Sequence, residues 1–284
     1  AFAAQAERVS KLFVDGDNGL SGALQKFQNA VQGVATEPSS VAARQVLLGA
    51  ADGLVERLDH VDSQLRALDA ESATQVRVEA SEINAIASGI ARLNREITLG
   101  AGSTGQPPND LLDQRDKLID QLATKVSITV VPQDQAVVNV FVGKGQALVL
   151  NEKAAQLDVT PDPYDSTRPR LTLASGQGTT DVTAAISGGT LGGMLDFRSQ
   201  ILDPARNEVG RIAAGIAEAV NTQHRAGVDM KGAFGADFFA LGAVDTLPRP
   251  GSGAQVVGSI TSAAALTGQD YELRYDGTNW SMKR

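Results

Sequence analysis

The fold is decided by residues 41–99, which read VAARQVLLGAADGLVERLDHVDSQLRALDAESATQVRVEASEINAIASGIARLNREITL, without a proline. Apolar residues recur in this stretch at alternating spacings of four and three, with a slip of one near residues 72–76: Leu47, Ala51, Leu54, Leu58, Val61, Leu65, Leu68, Ile83, Ile86, Ile90, Leu93 and Ile97. This periodicity predicts one α-helix on the order of 85 Å long, because a helix rises 1.5 Å per residue. A helix of that length needs other helices along its apolar face.

Shorter helical patterns lie before and after the long one. Residues 1–14 are typical of a helix end, and residues 15–19 (DGDNG) predict the turn that closes it. The next helix is predicted from an apolar stripe at Leu20, Leu24, Phe27, Val31 and Val34.

Two further helices are predicted beyond a Gly/Ser/Pro loop at residues 100–108. The first is acidic at its start and ends near Lys125, which suits the helix dipole. The second runs roughly over residues 191–224, and Pro204 is expected to kink or restart it. Its apolar seam is predicted at Leu191, Leu195, Arg198, Leu202, Ala205, Val209, Ile212, Ile216 and Ala219.

Between these two helices the apolar period changes from 3.6 to two. Short strands are predicted at residues 126–130, 137–142, 147–150, 156–159 and 170–173. Residues 143–145 (GKG) predict a hairpin turn, and residues 188–193 (GGTLGG) a joint at which backbones pack closely. A further strand and hairpin turn are predicted at residues 270–277, behind a Gly-, Ala- and Pro-rich stretch.

The predicted fold class is therefore α+β: an elongated helical rod of long antiparallel helices that carries inserted antiparallel β domains. We expect four parts: a helical rod over 1–125 with its long helix at about 41–99, an antiparallel β insert over 126–186, a returning helix over 187–240, and the start of a second, truncated β domain over 241–284.

Composition excludes several classes of function. The 284 residues carry a net charge of −8, without the basic balance of a nucleic-acid binder. They include no cysteine and two histidines, so disulfide scaffolds, thiolate zinc sites and histidine-rich metal sites are excluded. No apolar run reaches the roughly 18 residues of a membrane span. The first residues have no charged segment before an apolar one, so we expect no secretory signal peptide in this chain.

No segment of the sequence matches the full pattern of a known motif for catalysis, cofactor binding or metal binding. Residues 15–19 resemble the start of a calcium loop, but Lys26 stands where that loop needs a glutamate. Residues 188–193 lack the spacing of a phosphate-binding loop. His224 is expected to cap a helix and His60 to lie on a solvated face. We therefore expect no enzyme and name no catalytic, cofactor or metal residue.

Three stretches resemble blocks of the flagellar hook-associated protein 1 family, the first junction between hook and filament. The first is PNDLLDQRDKLID at residues 108–120. The second is GGTLGGMLDFR at residues 188–198, continued by LDPARNE at residues 202–208. The third is NTQH at residues 221–224, through Gly227 to DFF at residues 237–239. The start of the long helix also fits, and residues 270–279 agree more loosely.

The resemblance implies a flagellin-like structural protein, exported by the flagellar type III apparatus without a cleaved signal peptide and located in the extracellular flagellum. It implies several partners: further copies in a ring around the flagellar axis, the hook protein, the second junction protein (hook-associated protein 3), and an export chaperone. The chaperone would bind terminal segments that this chain lacks. The resemblance implies neither nucleic acid nor membrane as a partner. The rod core is then expected at Leu54, Leu58, Leu65, Ile86, Ile90, Leu202, Val209 and Ile216, with subunit contacts on the polar flanks and β domains.

A second hypothesis is an extracellular adhesin or binding module that carries its β domain on a coiled-coil stalk. Binding of glycans or host surfaces by residues 126–186 or 245–284 would distinguish it from the junction protein. An enzyme inserted in the β region is a distant third, because it would need a metal or nucleophile constellation that these residues do not supply.

Overall fold

The computed structural model describes residues 2–14, 19–104, 108–133, 137–176, 178–244, 246–249, 251–253 and 255–283. Most of the predicted turn at residues 15–19, and residues 105–107 of the predicted loop, lie outside these ranges. By its contacts the chain divides into two compact units, Ala1–Gln5 with Leu68–Arg198 (the first unit) and Ala6–Ala67 with Ser199–Arg284 (the second unit).

Within the described residues, six α-helices follow the predicted order: α1 Phe2–Val14, α2 Leu20–Thr36, α3 Val41–Thr104, α4 Asn109–Lys125, α5 Gly189–Phe197 and α6 Asp203–Ala226. Helix α3 continues through Thr104, where the sequence predicted a loop from Gly100. Adding one turn to a helix that has already formed needs no new nucleus, which offsets the cost of its two glycines. Pro107 and Pro108 disfavour helix in the residues before them.

The predicted second long helix is interrupted by a π-helical segment, Arg198–Leu202, between α5 and α6. Pro204 lies in the first turn of α6, where a missing N–H costs no hydrogen bond. The proline therefore restarts the helix as expected, while the wider π turn before it was not predicted.

The strands form antiparallel sheets. β1 (Ile128–Pro132), β2 (Val138–Val142), β3 (Gln146–Leu150) and β4 (Lys153–Ala154) form a four-stranded sheet in that order. β5 (Gln156–Pro161), β6 (Pro169–Ser175) and β7 (Gly178–Asp181) form a three-stranded sheet, and β8 (Glu272–Tyr275) pairs with β9 (Trp280–Lys283). β4 and β7 were not predicted, and β1 begins at Ile128 rather than at residue 126. The α+β class, with a long helix and antiparallel sheets, is confirmed.

The core of the first unit lies where α3, α4 and α5 meet the inner faces of the two larger sheets. Ile83 and Ile90 of α3 are fully buried there beside Val140 of β2, Leu171 of β6 and Leu191 of α5. Val140 and Val142 of β2, and Leu171 and Leu173 of β6, reach this core at alternate positions, as the period of two requires.

The second unit has a smaller core, built from α2, the start of α3, and α6. Phe27 and Leu54 are buried in it, and Ile216 of α6 and the pair Phe238–Phe239 pack against them.

Most residues predicted on the helix seams are buried. Of the eight expected in the core, Leu54, Leu65, Ile90, Leu202 and Val209 are buried, and Leu58, Ile86 and Ile216 are partly buried. Val31 and Ala219 were placed on seams but are exposed, and their places in the cores are taken by Ala30 and Ala217.

Candidate functional site: helix-mounted inserts and an exposed loop

The described residues contain no group of three or more histidine, cysteine, aspartate or glutamate side chains that could hold a metal ion. His60 is exposed and lines a shallow cavity between α2 and α3. His224 lies in the last turn of α6 and shares a hydrogen bond between its Nδ1 atom and the carbonyl oxygen of Ala236. No helix in the described part of the chain is both long and apolar enough to cross a bilayer.

Two asparagines of α3 hold the β insert, which we define as residues 126–187, against the helix. The Asn94 amide nitrogen donates to the carbonyls of Val138 (2.8 Å) and Asn151 (2.6 Å), and its oxygen accepts the Val138 N–H. Asn84 makes the same two-way contact with the backbone of Leu157, at 2.8 Å for each hydrogen bond. An asparagine amide carries both a donor and an acceptor, so it can make the two backbone hydrogen bonds that a residue of a neighbouring strand would make.

Charged and polar side chains connect the helices at the point where the chain enters and leaves the β insert. The Lys125 ammonium at the end of α4 lies 3.1 Å from a carboxylate oxygen of Glu79 and also pairs with Glu82. Hydrogen bonds from Lys125 to Glu82 and then to Glu79 raise the pKa of this lysine. Thr190, at the start of α5, donates to Glu79 at 2.8 Å. These contacts connect α3, α4 and α5 around the insert.

The glycines at this entry are required by geometry. Gly188 and Gly189 adopt φ values of +65° and +60°, a region that disfavours side chains. A Cβ atom on Gly189 would lie 2.4 Å from the carbonyl carbon of Lys125. The predicted close backbone packing at residues 188–193 is confirmed.

A buried ion pair occupies a predicted seam position. The Arg198 guanidinium at the start of the π segment lies 2.8 Å from the Asp69 carboxylate, with side chains 9% and 6% exposed. The positive charge of Arg198 also acts on Asp165, in the turn between β5 and β6. A buried arginine must be paired, because a lone charge would be costly to desolvate.

A third asparagine holds the tail segment, defined here as residues 227–283, against α6. The Asn221 oxygen accepts the N–H groups of Phe238 and Phe239, and its nitrogen donates to the Phe239 carbonyl. Phe239 then packs against Phe27 of α2 with ring centroids 5.7 Å apart. Sequence reasoning missed all three asparagines, although a polar residue beside apolar seam positions, such as Asn94 after Leu93, was an available signal.

The first nine residues of the tail segment form an ordered loop with an apolar surface (the apolar loop, residues 227–235). Its backbone is closed by hydrogen bonds from the Gly235 N–H to the Gly227 carbonyl and from the Asp229 N–H to the Ala233 carbonyl. The Ala233 and Lys231 N–H groups both donate to the Asp229 carboxylate and lower its pKa. Several backbone N–H and C=O groups of this loop are therefore hydrogen-bonded within the loop itself.

The side chains of the apolar loop point outward. Val228 is 63% exposed, Met230 75% and Phe234 80%. Single exposed apolar residues are ordinary, but a group of them on a well-bonded loop is typical of an interaction surface.

The chain is similar to flagellar junction proteins. A family model described as the flagellar hook-associated protein FlgK helical domain matches residues 6–239. Flagellar hook-associated protein 1 of Salmonella typhimurium is 34% identical over 286 residues, which cover 99% of this chain and 52% of that protein. The protein of the same name from Escherichia coli K12 is also 34% identical, and the one from Bacillus subtilis is 24% identical over 84% of this chain.

The solved structure of the flagellar hook junction protein FlgK from Burkholderia pseudomallei has the same fold. It superposes with a TM-score of 0.84 at 30% identity, covering 99% of this chain and 52% of that one. The chain therefore spans about half the length of these relatives.

Proposed function

Because this chain belongs to the family of the flagellar hook-associated protein FlgK helical domain, we propose that it forms part of the junction between hook and filament and allows the filament to assemble. The observation that carries this proposal is the 34% identity to flagellar hook-associated protein 1 over 99% of the chain. The role is structural and non-catalytic. The adhesin hypothesis has no comparable support, since the relatives named above are all flagellar proteins.

The proposed mechanism is mechanical. A ring of subunits around the flagellar axis contacts the hook protein on one side and the second junction protein on the other. Such a ring accommodates the mismatch between two polymers. An export chaperone and the type III apparatus deliver the subunit, which works outside the cell.

The parts of the chain are proposed to divide this work along the predicted boundaries. Residues 1–125 and 187–240 would supply the helical scaffold, and residues 126–186 and 241–284 the outer β surfaces. The asparagine contacts support this division, because Asn84, Asn94 and Asn221 tie non-helical segments to helices at defined points.

The test is deletion of the gene in the native cell, followed by electron microscopy and a blot of the culture medium for flagellin. We expect hooks without filaments and monomeric flagellin shed into the medium. Restoring the wild-type gene should restore filaments and is the matched control. Normal filaments on motile deletion cells would refute the proposal, and glycan binding by the β regions would then be tested.

A further inference from the structure

A groove lies between α2 and α3 of the second unit (the α2–α3 groove). It has a volume of about 780 Å³. Its lining combines small and apolar residues (Ala30, Gly33, Ala43, Val46 and Ala50) with polar residues of α2 and its C-terminus (Lys26, Asn29, Gln32, Thr36 and Glu37). This volume is within the range that accepts buried ligand groups, so two or three apolar side chains can enter it. Val46 is 62% exposed in the free chain and would be covered by an occupant.

The groove and the apolar loop are associated with different sides of α3. Asp229 of the loop is within electrostatic range of Arg44. Because successive helical residues are about 100° apart, Arg44 lies about 100–160° around α3 from the groove residues Ala43, Val46 and Ala50. Among the described residues, those that line the groove do not include any of the loop of the same chain.

The charge at one end of the groove is complementary to that of the loop tip, while Lys26 lines the groove about three turns away along α2. The tip of the apolar loop carries Lys231 between Met230 and the turn glycine Gly232. One end of the groove is lined by Thr36 and Glu37, at the C-terminus of α2. A helix C-terminus carries partial negative charge, which adds to the glutamate and attracts a lysine.

We infer that the apolar loop of one copy docks into the α2–α3 groove of a neighbouring copy, with Met230 and Phe234 on its small and apolar residues and Lys231 at the Glu37 end. A contact between two different surfaces of the subunit joins copies in one direction. Such contacts close into a ring when the rotation between copies fits. This inference rests on the proposed function, since it assigns the contact between subunits of the proposed ring.

Disulfide trapping in the native cell tests this contact. The chain has no cysteine, so a double variant Met230→Cys with Val46→Cys (the loop–groove variant) introduces one thiol on each surface. Both residues are exposed, so the changes should not disturb folding. The matched control combines Met230→Cys with Val78→Cys, because Val78 is also an exposed valine of α3 but lies 32 residues, roughly 48 Å, further along the helix. Isolated hooks are oxidised and run on a gel without reductant.

The expected result is loss of the monomer band to a ladder of multimers in the loop–groove variant, with none in the control or either single variant. A dimer from Met230→Cys alone would overturn the inference, because loop would then meet loop. An adduct with another flagellar protein, or an equal ladder in the control, would also overturn it.

The presence of the wild-type protein in isolated hooks is scored separately. If the protein is present at hooks but the loop–groove variant gives no ladder, only this contact is refuted. A protein absent from hooks refutes the proposed function, and this inference with it.

Discussion

The β insert and the tail segment are attached to helices by the same chemistry but bury different amounts of apolar surface. Asn84 and Asn94 hold the insert and Asn221 holds the tail, each through two-way amide contacts with backbone groups. The insert adds a set of fully or nearly fully buried side chains to its core, among them Val140, Leu148, Val149, Leu171 and Val182. In the described part of the tail, Ala263 is the one buried apolar residue.

The comparison shows that the same kind of asparagine contact has two different structural roles. In the insert it orients a sheet that burial already stabilises. In the tail it holds a segment in which many apolar side chains beyond Phe239 are exposed, including Leu273, Tyr275, Trp280 and Met282 on one face of the β8–β9 hairpin. A two-stranded hairpin alone is marginal in water, so burial of this face would stabilise it.

The largest expected effect comes from shortening one leucine in the β insert, compared with one leucine in the tail segment. Leu171→Ala in β6 removes a fully buried side chain and should lower the free energy of unfolding by about 3 kcal/mol. Leu273→Ala in β8, at a half-exposed position, should change it by less than about 1 kcal/mol. Urea unfolding followed by circular dichroism measures both. Equal losses would mean that the tail is packed as tightly as the insert.

The second comparison removes the asparagines. Asn94→Ala leaves the Val138 N–H and two carbonyls without partners in a buried site, and should cost about 2–3 kcal/mol of global stability. Asn221→Ala should leave global unfolding nearly unchanged but speed hydrogen exchange at Phe238 and Phe239. Ser88→Ala, at an exposed position of α3, is the control. If Asn221→Ala lowered the global free energy of unfolding as much as Asn94→Ala does, the insert and the tail segment would unfold together as one cooperative unit.

A third variant tests the entry to the insert. Gly189→Ala forces a side chain into positive φ and against the Lys125 backbone, and should destabilise the protein by roughly 2 kcal/mol. Gly210→Ala in α6 meets no atom within 4 Å and should stabilise it by about 0.5–1 kcal/mol. Thermal unfolding compares the two. A Gly189→Ala variant as stable as the parent chain would show that the entry can move aside.

The smallest expected effect is a pH dependence of the tail hairpin. Hydrogen bonds from the N–H groups of Asn279 and then Thr278 hold the pKa of Asp276 below its ordinary value. The stabilisation is therefore complete above about pH 4 and is lost as pH falls through the lower folded value. NMR of the carboxyl carbon should give that value, with the hairpin opening as Asp276 titrates. Asp276→Asn should abolish this step, and a titration at the ordinary value would contradict it.

The sequence predicts the helices and most strands because burial leaves periods of 3.6 and two, and Pro204 marks where helix α6 begins. β7 (Gly178–Asp181) was missed because all four of its residues are exposed and none alternates with an apolar one. The π segment was missed because its extra residue leaves no signal in the composition. Arg198 was assigned to the seam from its spacing alone. The contacts of Asn84 and Asn94 join residues 73 and 44 positions apart, so the position of each asparagine beside the seam does not reveal its partner.

Asn84 also has a consequence for misassembly. Strand β5 is an edge of the three-stranded sheet, and the outward N–H and C=O groups of Leu157 are both taken by the Asn84 amide. An open sheet edge recruits strands from other chains and leads to aggregation. By occupying part of that edge with a side chain of its own helix, the chain leaves fewer open backbone groups with which a strand of another copy could pair.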